Sequence, residues 1–285
     1  WLKQTGFPEI SVSGRYDREH SRYTITAHQE VPLKGTPWVL PLRAALVDNE
    51  GRDLAERLVR MDRPDTVITF ENVAEPGFLS INRECSFYGK VKDDADRGAL
   101  RLQALHDRDV VNRFIALYRL AEREMIGLID HPGGEPSEDF TGLYFGILDD
   151  DALNRRLGGL LLTLFDTVDA PQYAYRYGDL YTARRAMEHA IALRYKGQLL
   201  EGYHRHDRSI SLLAPLDVQA GAIKERQVKN TCLALLATLD TAEIHEILRT
   251  QMNTGTAATD RLRAFSYYLN GTASDRLVVL ETFGA

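Results

Sequence analysis

The chain has 285 residues, 44% of them hydrophobic and 27% charged, with a formal net charge of −6. That length allows about two domains at ~100–200 residues each. The charge balance gives no reason to expect a nucleic-acid partner, since a phosphate-binding surface needs a basic stripe. Here basic and acidic residues interleave, as in RYDREHSR (15–22) and DRDVVNR (107–113). The best apolar run, LGGLLLTLF (Leu157–Phe165), falls well short of the ~18 residues of a membrane span.

Trp1-Leu2-Lys3-Gln4-Thr5-Gly6-Phe7-Pro8 reads as a last helical turn, a glycine stop and a proline that bars continuation. With no initiator methionine, this start predicts a segment of a longer protein. A strand follows from Glu9 to about Tyr16, then a polar turn at Asp17–Ser21. In RYTITAHQE, Tyr23, Ile25 and Ala27 alternate with Thr24, Thr26 and His28, the period of a half-buried strand. WVLPLRAALV (Trp38–Val47) reads as another strand. Its Pro41 cannot donate a ladder hydrogen bond, which predicts an edge or a bulge. Asp48-Asn49-Glu50-Gly51 is a hairpin turn, with Gly51 free to take a positive φ. TVITFE (66–71) and FLSINRECSF (78–87) complete six or seven short antiparallel strands at sandwich-like spacing.

KVKDDADRG (Lys90–Gly98) is charged and weakly apolar and reads as a linker, giving domains 1–98 and 99–285. Beyond it the period becomes helical. Val110, Phe114, Leu117, Ala121, Met125 and Leu128 belong to one wide apolar stripe over 109–130. Asp107 or Asp109 can cap its start, and His131-Pro132-Gly133-Gly134 stops it. Further helices are predicted at 136–148, 151–166, 178–204, 215–237, 241–252, 257–270 and 273–282. Short loops between them argue for antiparallel neighbours stacked in pairs, and no strict repeat period is found. The fold class is therefore β then α: a β-sandwich followed by an irregular all-α array.

Several pieces together resemble one family. WLKQTGFPEISVSGRYD (1–17), VLPLRAALVDNEG (39–51), VITFENV (67–73), FLSINRECS (78–86), RQVKNTCLALLATL (226–239) and TAATDRLRAFSYYL (256–269) occur here in order. In that order they resemble the segment that follows the catalytic domain in zinc-dependent aminopeptidase N (membrane alanyl aminopeptidase) proteins. Two positions depart from the family pattern. Cys85-Ser86-Phe87-Tyr88 stands where Phe-Ser-Ala-Pro is usual, and Lys229 stands where arginine is common. The resemblance implies an Ig-like sandwich acting as a spacer. It also implies a superhelical ARM/HEAT-like domain that caps the catalytic chamber, incomplete here at its C-terminal end. The implied partners are a catalytic domain of the same protein, its zinc, and peptide substrates.

The family's zinc sits on HExxH, where two histidines at i and i+4 share a helix face. The nearest string is His245-Glu246-Ile247-Leu248-Arg249, whose arginine would repel a metal, and no Gly-x-Met-Glu-Asn motif occurs. His204, His206 and Asp207 look metal-like, but at a helix end His204 and His206 diverge. Asp149-Asp150-Asp151 lacks the glycine and the twelfth-position acid of a calcium loop, so capping is the reading. Gly255–Asp260 has neither the lysine nor the preceding strand of a P-loop. Asn270-Gly271-Thr272 is a glycosylation sequon of a kind that loops produce by chance. Six tyrosines from Tyr173 to Tyr203 could wall a peptide site; packing between helices is the plainer reading.

No catalytic, substrate-binding or metal-binding residue is therefore assigned, and no cofactor is expected in the segment itself. Only two cysteines, Cys85 and Cys232, point to a reducing cytoplasm. The alternative reading is a freestanding protein-interaction module of sandwich plus helices.

Overall fold

A computed structural model describes residues 4–30, 35–208 and 213–282. The helical turn read at Trp1–Lys3 and the FGA ending at 283–285 lie outside the described residues. Packing divides the chain into two compact units, 1–120 and 121–285.

In the first unit, β1 (Glu9–Asp17), β2 (Arg22–Gln29), β5 (Asp65–Phe70) and β7 (Lys90–Asp93) form a sheet in the order β5-β2-β1-β7. β3 (Leu40–Val47), β4 (Asp53–Met61) and β6 (Phe78–Ile81) form a second, ordered β4-β3-β6. All pairings are antiparallel except β1 with β7. Alternation sends Ile10, Val12, Ile25, Ala27, Leu40, Leu42 and Leu46 into the core, together with Trp38. Burying these side chains contributes on the order of 1.5–3 kcal/mol for each large one.

The second half of β3, Ala44–Val47, is apolar on both sides because it is covered on both sides. Its other face presents Ala45 and Val47, which pack with Phe78 against Ala99 and Leu102 of helix α1 (Arg97–His106). Pro41 is tolerated because β6 pairs with β3 only over Ala44–Val47. At Pro41 the strand has β4 alone as a neighbour, and the register irregularity lies farther on, between Leu46 and Val47. Gly51 has φ +83, and Asp48 Oδ1 accepts from the backbone N–H groups of Glu50 and Arg52, each at 2.9 Å.

The expected linker is not one. Lys90–Asp93 is β7, paired in parallel with Glu9–Val12. Lys90 and Lys92 point outward there, and charged side chains suit a short sheet edge. α1 then begins at once, with Asp96 Oδ1 accepting from Ala99 N–H at 2.8 Å. Asp109, rather than Asp107, caps α2 (Val110–Asp130), accepting from Val111 and Asn112 N–H. The division between the units falls inside α2.

The second unit is all-α: α3 (Glu138–Leu148), α4 (Asp151–Leu157), α5 (Tyr177–Arg194), α6 (Lys196–Arg205), α7 (Leu216–Ala237), α8 (Ala242–Thr254), α9 (Ala258–Leu269) and α10 (Arg276–Thr282). Two predicted helices are interrupted. The helix expected over 151–166 breaks at Gly158, whose φ +63 and ψ −148 are open to glycine alone, and a 3-10 turn follows over Gly158–Leu162. The one expected over 178–204 breaks at Tyr195, at φ −115 and ψ 24. Tyr195 stacks on Phe145 with ring centroids 4.2 Å apart, a contact that explains why the break is kept. α7 is the hub of this unit, packed by α4, α5, α6, α8 and α9. Its Val228, Cys232, Leu233, Leu235 and Leu236 are buried. A helix surrounded by others needs no polar face, which is why its last stretch, Cys232–Ala237, is apolar throughout.

Candidate functional site

Two buried charged clusters stand out, one in each unit. In the first, Arg83 is 1% exposed and follows β6 in a 3-10 turn, Arg83–Cys85. Its guanidinium grips Asp53 with two bonds of 2.8 Å. It also donates to Glu56 at 2.9 Å and to Ser80 Oγ at 2.9 Å, and Asp107 lies 3.7 Å away. Arg108 clamps the same carboxylates from outside, at 2.8 Å to Asp53 and 2.6 Å to Glu56. Burial works against the Arg83 charge, but Asp53, Asp107 and Glu56 hold its pKa above the ordinary value. The turn is strained: Asn82, Glu84 and Cys85 all have positive φ. A cavity of about 400 Å³ lies beside it, lined by Arg83, Glu84, Arg108, Asp109, Val110 and Val111.

The Arg83 bond holds the Asp53 carboxyl below its ordinary pKa. A depressed folded-state value means that the stability Asp53 supplies is complete above its unfolded pKa of about 3.9. It is lost as pH falls through the lower folded value. The gap in urea midpoint between wild type and Asp53→Asn should therefore be constant from about pH 7 to pH 5 and shrink below about pH 4. A gap unchanged down to about pH 2 would contradict the pairing.

In the second unit, Lys229 of α7 is 3% exposed. Its Nζ donates to Asp260 Oδ2 at 2.5 Å and to Asp207 Oδ1 at 3.0 Å. Asn230 donates to Asp260 Oδ1 at 2.7 Å, and Gln251 donates to Asn230 Oδ1 and to the Asp260 carbonyl. Tyr203 has its pKa pushed up to about 12 by burial and by the charges of Asp207 and Asp260.

The residues weighed for chemistry scatter. His245 Nε2 is held by Asp240 at 2.6 Å, while Arg249 pairs with Asp275 at 2.8 Å. His204 is exposed and His206 buried; His206 Nδ1 meets Glu225 at 2.5 Å, and its Nε2 faces Asp151 Oδ1 at 3.7 Å. Among the described residues no group of three or more His, Cys, Asp or Glu is placed to hold a metal ion. These residues do not fit the zinc that the resemblance implies. Asp150, from the triple-aspartate string, caps α4 through Leu153 N–H at 2.9 Å. Tyr175, Tyr177 and Tyr181 are exposed, whereas Tyr203 is buried and Tyr195 packs on Phe145, so the six tyrosines form no single wall. Burial pushes the Cys232 thiol up to about 12, which leaves it inert. No helix among the described residues is long and apolar enough to cross a membrane.

The sequence reading missed both clusters. Lys229 is one of three cations in α7, with Lys224 and Arg226, and is set apart from them by its burial, which demands a partner. Nothing local identified Asp260, 31 positions away, as that partner.

Residues 97–285 match the family profile described as "Domain of unknown function (DUF3458_C) ARM repeats". The chain belongs to the DUF3458_C family. In this DUF3458_C protein, residues 6–94 also match "Domain of unknown function (DUF3458) Ig-like fold", and the two profiles agree with the sandwich-then-helices architecture. The chain is 24% identical to aminopeptidase N of Escherichia coli over 297 residues, covering 93% of itself and 32% of that protein. It is 25% identical to aminopeptidase N of Haemophilus influenzae over 315 residues, covering 99% and 34%. It thus spans about a third of the length of these curated relatives. Among solved structures, Legionella pneumophila aminopeptidase A in complex with aspartic acid matches with a TM-score of 0.79 and 21% identity, over 98% of this chain and 33% of that one. That likeness shows the shared fold.

Proposed function

We propose that this DUF3458_C chain is a non-catalytic segment of a zinc-dependent aminopeptidase, working in a reducing cytoplasm. In this reading the Ig-like sandwich is the spacer and the helical array caps the chamber in which N-terminal residues are removed from peptides. The remainder of the protein supplies zinc and catalytic side chains. The supporting observation is similarity to aminopeptidase N proteins along 93% and 99% of the chain. A cap acts by excluding bulk water and large substrates from the reacting centre.

The capping role predicts a length dependence. Hydrolysis of alanyl peptides by the whole protein should be efficient for short peptides and fall steeply as the peptide lengthens, in kcat/KM. Equal efficiency for a dipeptide and a long unstructured peptide would contradict it.

A further inference from the structure

The two family profiles part at residues 94 and 97, and the periodicity of the sequence changes at the same place. The packing does not. α1 covers the outer face of the β4-β3-β6 sheet, where Ala99 and Leu102 pack on Ala45, Val47 and Phe78. The β3–β4 turn closes on the end of α1 so tightly that a Cβ at Gly51 would lie 2.7 Å from the His106 carbonyl oxygen. Asn112, in the first turn of α2, donates to Ser80 Oγ at 3.0 Å and to the Ile81 carbonyl at 2.9 Å. Farther along α2, Arg119 donates to Asp93 Oδ1 at 2.7 Å and to its carbonyl at 3.2 Å. At the centre, Arg83 and Arg108 share Asp53 and Glu56 of β4, with Asp107 of the α1–α2 turn beside them.

We propose that the Arg83 cluster is a conformational clamp that makes α1 and the first half of α2 part of the sandwich, so that its cooperative unit ends near Leu120. A domain cut at the change of sequence period would remove the cover of Ala45, Val47 and Phe78. It would also strip Arg83 of Asp107 and its carboxylates of Arg108. Proteins open in contiguous cooperative units that follow such packing, and here the unit crosses the boundary drawn by sequence families. This inference stands independently of the aminopeptidase reading.

Native-state hydrogen exchange on the whole chain, at increasing low concentrations of denaturant, tests it. Amides of 97–106 and 112–120 should open with the same free energy and denaturant dependence as those of β3 and β4. Amides of α7 and α9 should open in a separate step. Opening of 97–120 together with α7 and α9, or a single opening for the whole chain, would overturn the proposal. In Arg83→Met, protection of β4 and of α1 should fall by a common factor of about tenfold or more while α7 is unchanged. Loss in β4 with α1 unaffected would overturn the clamp; the wild-type measurement decides the unit boundary without any variant.

Discussion

Arg83→Met is expected to destabilise the first unit by on the order of 3 kcal/mol, because it takes the guanidinium from buried Asp107 and leaves Asp53 and Glu56 with the largely exposed Arg108. The side chain of Asp107 is fully buried and those of Asp53 and Glu56 are mostly so, so bulk water compensates the lost bonds only in part. Methionine matches the length of the stem but returns none of the bonds to Asp53, Glu56 and Ser80. Urea unfolding followed by the fluorescence of Trp38, which is 2% exposed in the sandwich core, reads the effect. Arg108→Met is the control. Its side chain is 57% exposed, so screening by water should keep its cost to about 1 kcal/mol or less. Equal costs for the two arginines would show that burial is not what gives Arg83 its weight.

The second large effect is expected at Lys229. Lys229→Met should cost about 3–5 kcal/mol, because the carboxyl of Asp260, whose side chain is 4% exposed, would keep Asn230 alone as a partner. Removing both charges in Lys229→Met/Asp260→Leu should cost less than Lys229→Met alone, since an apolar pair leaves no buried ion. Helical circular dichroism through a denaturant titration measures the unit directly. A double variant at least as damaged as the sum of the single ones would mean that the pair does not act as an ion pair.

The elements that were legible in the sequence are those whose signal is local. The alternation in RYTITAHQE places Ile25 and Ala27 in the core, and the apolar run in α7 places Cys232 and Leu233 there. Asp48-Asn49-Glu50-Gly51 forms its turn because the side chain and the glycine needed for it lie within four residues. What was illegible depends on distant partners. β7 looks like a linker because four residues, three of them charged, become a strand only when β1 offers its edge. The break at Tyr195 depends on Phe145, 50 positions earlier, and helical propensity runs straight through it. The Arg83 cluster draws on β4, the turn after β6 and the α1–α2 turn. No spacing rule joins those stretches, whereas HExxH-like strings can be weighed by eye because their ligands sit one helical turn apart.

The measurement that tests the central claim most directly is hydrolysis of an alanyl chromogenic amide by the purified chain, with and without added zinc, alongside its bound metal content. The account predicts no turnover and no stoichiometric zinc, because none of the histidines or carboxylates described is arranged to hold the metal. Turnover that rises with zinc content would contradict it and would place an active site within this chain.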